Sequence, residues 1–220
     1  MVEAWEFVVR RPELLAEWTL AHLWLILVAI TVAVILGIVI GVYISGAGRE
    51  HIADTVLYLA EIMMTVPSLA LFGLLMLLLG SIGLKAIGFL PAVIALIVYG
   101  QLPILRNTYT AIRAVDPAMI EAGRGMGMNE RQLLFRVKLP LAVPVIMAGL
   151  RNAIVLIIGI AAIAAFIGAS GLGAPIFRGL RNARMDLIII GGVTVSILAL
   201  LVDGFMSFVE RWVTPEGLKK

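Results

Sequence analysis

Residues 22–44, "HLWLILVAITVAVILGIVIGVYI", decide the fold. These 23 residues contain no Asp, Glu, Lys or Arg. At ~1.5 Å of rise per residue, a helix of this length crosses the ~30 Å hydrocarbon layer of a bilayer. Ser45-Gly46-Ala47-Gly48 then ends the run. Four more apolar runs follow, at about 56–79, 89–111, 139–167 and 187–209. The second closes near Gly80-Ser81-Ile82-Gly83. The expectation is an all-α membrane protein of five transmembrane helices, folded as one domain over residues 1–220.

The composition agrees. The chain is 62% hydrophobic and 14% charged, with a mean hydropathy of +1.09. Soluble domains run nearer ~45–50% apolar and ~25% charged. A formal net charge of +3 is the small Lys/Arg surplus that cytoplasmic loops carry, and it calls for no nucleic-acid partner. There are no cysteines and only two histidines, His22 and His51. That leaves no thiolate chemistry, no disulfide and no expected metal site. Residues 1–20 pit Glu3, Glu6, Glu13 and Glu17 against Arg10 and Arg11, which is the wrong texture for a cleavable signal peptide.

The densest charge lies between the third and fourth runs, in "EAGRGMGMNERQLLFRVKLP" (121–140). Asp116-Pro117 is a helix start, because Asp accepts from free amides and Pro fits the first turn. Gly123, Gly125 and Gly127 are expected to break that helix. Asn129 is expected to cap a second short helix, with Gln132 as its capping-box partner. Leu133, Leu134 and Val137 then share one face, and Leu139-Pro140 turns the chain into the fourth run. The expectation is a helix–Gly–helix elbow at 116–138, lying on the membrane surface.

Orientation follows from counting basic residues. With the elbow inside, ten face the cytoplasm: Arg49, Arg106, Arg113, Arg124, Arg131, Arg136, Lys138, Arg211, Lys219 and Lys220. Six face outward: Arg10, Arg11, Lys85, Arg178, Arg181 and Arg184. The N-terminus is therefore expected outside and the C-terminus in the cytoplasm.

Glu121-Ala122-Gly123, then Gly127, Val137 and Leu139-Pro140 resemble in phase the "EAA" loop of ABC importer permeases. The family's third position is often Ala and is Gly123 here; its aliphatic is often Ile and is Val137 here. The resemblance implies the type I importer permease fold, with the elbow as coupling helices held in a groove of an ATP-binding subunit. Glu121 and Gly127 would provide contact and close approach there. The chain has no G-x-x-x-x-G-K-[ST] phosphate loop. ATP is thus expected on a partner ATPase dimer, and no cofactor on this chain.

The stretches "MTVPSLALFGLL" (64–75), "LPILRNTYTAI" (102–112), "KLPLAVPVIMAGLRNA" (138–153), "FIGASGLGAPIFRGL" (166–180) and the ending "TPEGLKK" look like the quaternary-amine subfamily. Its members take up glycine betaine, choline, carnitine and proline betaine across the cell membrane. The resemblance implies a separate extracytoplasmic binding protein, a second permease chain and a lipid bilayer as surroundings. A permease for another small polar solute, such as an amino acid, is the alternative; a non-ABC channel is a further one.

Polar residues within spans, together with the helix-interrupting Pro67, are the candidates for the translocation path. They are Thr65, Pro67, Ser68, Tyr99, Asn107, Tyr109, Arg151 and Asn152, with Gln101, Thr108 and Ser196 beside them. Helix–helix hydrogen bonding is their ordinary role. Tyr99 and Tyr109 suit either cation–π contact with an ammonium or interfacial anchoring. Pro67 and Pro103 are expected to kink their helices. Arg151 is expected to pair with Glu61 or Asp203 or to reach cytosolic water, with contact to a substrate carboxylate as the sharper alternative. Gly168-Ala169-Ser170-Gly171 also resembles the nucleophile motif of rhomboid-type proteases. That chemistry needs a histidine base, for which only His22 is on the right side.

Overall fold

A computed structural model describes residues 2–214, with side chains from Glu6 onward. The quoted ending beyond Thr214, including Lys219 and Lys220, lies outside the described residues. Among these, every regular element is helical. Helix α1 is Val2–Arg10, α2 Pro12–Ile44, α3 Glu50–Thr65, α4 Ser68–Ser81 and α5 Phe89–Arg113. The elbow holds α6, Pro117–Gly125, and α7, Glu130–Leu133. A π-helical turn, Leu134–Lys138, runs on into α8, Leu139–Ile163, which closes in a 3-10 turn, Ala164–Ile167. Helix α9, Gly173–Arg181, leads back into α10, Met185–Val213.

Four stretches are long and apolar enough to cross a membrane: Pro12–Ile44, Phe89–Arg113, Glu130–Ile167 and Met185–Val213. The first begins ten residues ahead of the sequence expectation. At 33 residues it would span ~50 Å. Its first turns, with Glu13 and Glu17, therefore extend past the hydrocarbon layer.

The expected second span is not a straight helix. It is the pair α3 and α4, bent by 103° at Val66-Pro67. Proline disfavours the helical conformation in the residue before it, and Val66 is extended at φ −66°, ψ 125°. The break frees backbone groups that must find other partners in an apolar setting. One is met directly: the Tyr99 hydroxyl donates to the Val66 carbonyl at 2.5 Å. Pro103, by contrast, sits inside an unbroken α5.

Helix α5 packs against α2, α3, α4 and α8 and forms the centre of the bundle. Its seam with α2 is built from small residues at intervals of four: Ala29, Ala33, Gly37 and Gly41. A Cβ on Gly37 would lie 2.5 Å from Ile104 Cγ2, and one on Gly41 2.7 Å from Thr108 Cβ. On the α8 side, a Cβ on Gly149 would lie 2.5 Å from Asn107 Cβ and 2.8 Å from the Pro103 carbonyl. Lipid supplies little hydrophobic drive between helices, so close backbone approach and dispersion provide the cohesion. Phe72, Leu96, Ile157 and Ile158 fill the space between the helices and are fully buried.

Large apolar side chains cover the flanks. Leu200, Leu201, Phe205, Phe208 and Trp212 of α10 are exposed, as are Leu74, Leu77 and Leu78 of α4. An apolar outer surface of this kind belongs in lipid or against another membrane helix.

Candidate functional site

Local chemistry builds the elbow. The Asp116 carboxylate accepts from Ala118 N at 2.8 Å and caps α6, with Pro117 at the first position. Helix α6 runs unbroken through Gly123, contrary to the expectation, and ends at Gly125. Gly127, just past the end, takes φ +79°, a conformation open to glycine and strained for most other residues. Gly123 has a different use. A Cβ there would lie 2.5 Å from Leu133 Cδ2, so the bare backbone lets α6 rest on the buried Leu133. After the turn, Asn129 and Gln132 form the expected reciprocal capping box, both bonds at 2.9 Å. Arg124 bridges back across the turn to Glu130 at 2.8 Å.

The Leu139-Pro140 turn does not exist. The helix is continuous from Glu130 to Ile163, and the π-helical turn Leu134–Lys138 lies just ahead of Pro140. Proline lacks an N–H, and its ring crowds the carbonyl four residues back. Widening the helix over that stretch relieves the crowding without a break. Val137, Leu139 and Pro140 are thus part of the shaft connecting the elbow to α8. Glu121 and Ala122 are exposed on α6. Met126 and Phe135 are exposed as well, at 71% and 65%, large apolar side chains at the polar end of the bundle.

The polar residues expected within spans fall into two groups. Thr65, Pro67, Ser68 and Tyr99 meet at the α3–α4 break. There Thr65 Oγ1 donates to the Ile62 carbonyl at 2.7 Å. The Tyr99 ring is enclosed in the core at 4% exposure. The second group follows the α5–α8–α10 crossings. Asn107 Nδ2 donates to the Pro103 carbonyl at 2.7 Å, while Tyr109 is half-buried and Asn152 exposed. Arg151 makes a two-pronged ion pair with Asp203 of α10. Of the two carboxylates considered for it, Glu61 is taken by Arg106. A second bridge, Arg113 to Glu50 at 3.2 Å, also ties α5 to α3. The α2 seam and the α3–α5 ion pairs were missed in the sequence. A small-x-x-x-small count would have found the seam, but nothing local indicates which carboxylate meets which arginine.

Gly168–Gly173 is a tight connection that packs on α2. A Cβ on Gly171 would lie 2.9 Å from His22 Nδ1, and one on Gly173 1.8 Å from the Ala162 carbonyl. His22 Nε2 lies 3.3 Å from the Ile158 carbonyl, and its Nδ1 has no hydrogen-bond partner among the described residues. Among the described residues, neither ring nitrogen of His22 is hydrogen-bonded to Ser170, so the pair that a serine nucleophile needs is not formed there. No group of three or more His, Asp or Glu among the described residues is arranged to hold a metal.

The fold is that of a multi-pass helical membrane protein with a charged elbow at one end of its bundle. The chain belongs to the family of binding-protein-dependent transport system inner membrane components, whose match covers residues 33–215. It is 42% identical over 205 residues to the osmoprotectant import permease protein OsmW of Salmonella typhimurium, covering 93% of this chain and 94% of that one. It is 40% identical over 198 residues to the glycine betaine/carnitine/choline transport system permease protein OpuCB of Bacillus subtilis, covering 90% and 88%. Its identity to the carnitine transport permease protein OpuCD of Listeria monocytogenes is 43% over 189 residues, covering 86% and 81%. The fold is shared with the inward-facing MetNI methionine ABC transporter, at TM-score 0.80 and 22% identity over 94% of this chain and 99% of that one. An amino acid ABC transporter crystallised with histidines matches at TM-score 0.77 and 23% identity, over 92% and 95%.

Proposed function

We propose that this chain is the path-forming permease of an ABC importer for quaternary-amine osmoprotectants, such as glycine betaine, carnitine, choline and proline betaine. The elbow carries the transport reading. It is a capped, glycine-turned helix pair with Glu121, Met126 and Phe135 exposed at one end of the bundle. It continues without a break into α8. Such a handle suits an external ATPase dimer, which would bind the ATP this chain has no phosphate loop to hold. Movement of the elbow would be carried along the α7–α8 shaft and alternate the access of the path. The elbow faces the cytoplasm and the N-terminus lies outside, in keeping with the basic-residue count. The exposed apolar flanks of α4 and α10 favour a second permease chain beside this one. The substrate class rests on the relatives named above, which span nearly the whole chain.

The test is uptake in cells stripped of their own betaine and choline importers. Co-expression with a cognate ATPase and binding protein is expected to restore uptake of labelled glycine betaine or carnitine. Uptake that persists without the ATPase would instead make the chain a passive channel.

A further inference from the structure

At the end of the bundle opposite the elbow, α2, α9 and the turn ahead of α9 line a half-open pocket of about 270 Å³. Its placement follows from connectivity: α8 leaves the elbow and ends at Ile163, and α9 begins just beyond. Its lining includes Glu17, Trp18, Ser170, Phe177, Arg178 and Arg181. Arg178 and Arg181, three positions apart, lie on one face of α9. Among the described residues neither makes an ion pair with a carboxylate, and neither does Glu17 across from them. The Arg178 guanidinium is held 5.7 Å from the centroid of Trp18, and Trp18 stacks on Phe7 at 6.1 Å. The pocket therefore has two exposed arginines on one side, the exposed Glu17 on the other and aromatic side chains between, with its charges not neutralised by ion pairs.

We infer that this pocket binds a small zwitterion bearing a carboxylate and a methylated ammonium, an outer-mouth station on the route of the solute. The guanidiniums of Arg178 and Arg181 suit the carboxylate. Glu17 and the face of Phe177 suit the ammonium, whose methyl groups leave it no N–H donor. The two arginines outnumber Glu17 and disfavour a simple cation, while Glu17 and Phe177 add for the ammonium of a zwitterion an attraction that a simple anion cannot use. The inference rests on the transport reading above and sharpens it: betaines and carnitine fit this station, and choline, which lacks a carboxylate, does not.

The permease–ATPase complex in nanodiscs, without binding protein, tests the pocket by saturation-transfer NMR with glycine betaine and with choline. Glycine betaine is expected to bind better than choline. Arg178→Gln with Arg181→Gln is expected to weaken betaine binding about tenfold, the loss of a charge-assisted contact. Choline, which the two arginines disfavour, should lose nothing by the same change. Glu17→Gln is expected to weaken betaine binding by removing the acidic partner of the ammonium. Equal binding of betaine by wild type and the double variant, or none by wild type, overturns the inference. The uptake assay adds a second arm. A selective fall in betaine uptake supports the pocket, whereas an equal fall for betaine and choline makes it a docking point for an acidic group of the binding protein. If wild type imports neither solute, the transport reading fails, while the NMR arm still decides the pocket.

Discussion

The Tyr99 hydroxyl donates to the Val66 carbonyl at 2.5 Å and closes the gap that Pro67 opens between α3 and α4. Two distant parts of the sequence thus share one task, since a bend of 103° in an apolar setting needs its freed carbonyl satisfied. Tyr99→Phe is expected to leave the fold intact and lower stability by about 1–3 kcal/mol, the cost of an orphaned buried acceptor. Thermal unfolding in detergent measures it. An unchanged melting temperature would show that water or another donor replaces the hydroxyl.

The Arg151–Asp203 pair couples α8 to α10. Arg151→Leu and Asp203→Leu are each expected to reduce the amount of folded protein in the membrane, because each leaves a lone charge in the bundle. The double replacement is expected to recover much of the loss, since removing both partners leaves no charge unpaired. Quantitative blotting of membranes reads this, and uptake by the double variant then decides whether the pair does more than hold helices together.

The α2–α5 seam predicts sensitivity to a single methyl group. Gly41→Ala is expected to cost about 1–3 kcal/mol by overpacking against Thr108. Gly73→Ala in α4, where nothing lies within 4 Å of the added Cβ, is expected to be neutral or slightly stabilising. Parallel melting curves of the two variants make the comparison. Equal shifts would mean that the seam is looser than described.

The elbow makes two separable predictions. Glu121→Lys, on an exposed face, is expected to leave melting unchanged and abolish co-purification of the ATPase. Gly127→Val is expected to cost about 1–2 kcal/mol through its positive φ and to loosen the same association, while Gly127→Asn, which tolerates that conformation, should do so less.

The sequence alone determined the membrane class, the number and approximate place of the apolar runs, and both caps of the elbow, at Asp116 and Asn129. These are local matters: a charge-free run must leave water, and a capping side chain acts within three residues. The tertiary structure alone decided that the second run is a helix pair bent at Pro67, and that the chain passes Pro140 in a widened helix rather than turning. It also decided that Arg151 chooses Asp203 while Glu61 goes to Arg106, and that Tyr99 serves the Val66 carbonyl. Those outcomes depend on which helices become neighbours. Hydropathy specifies that a segment enters the membrane, but the hydrogen bonds and ion pairs formed there are set by crossings between residues far apart in the chain.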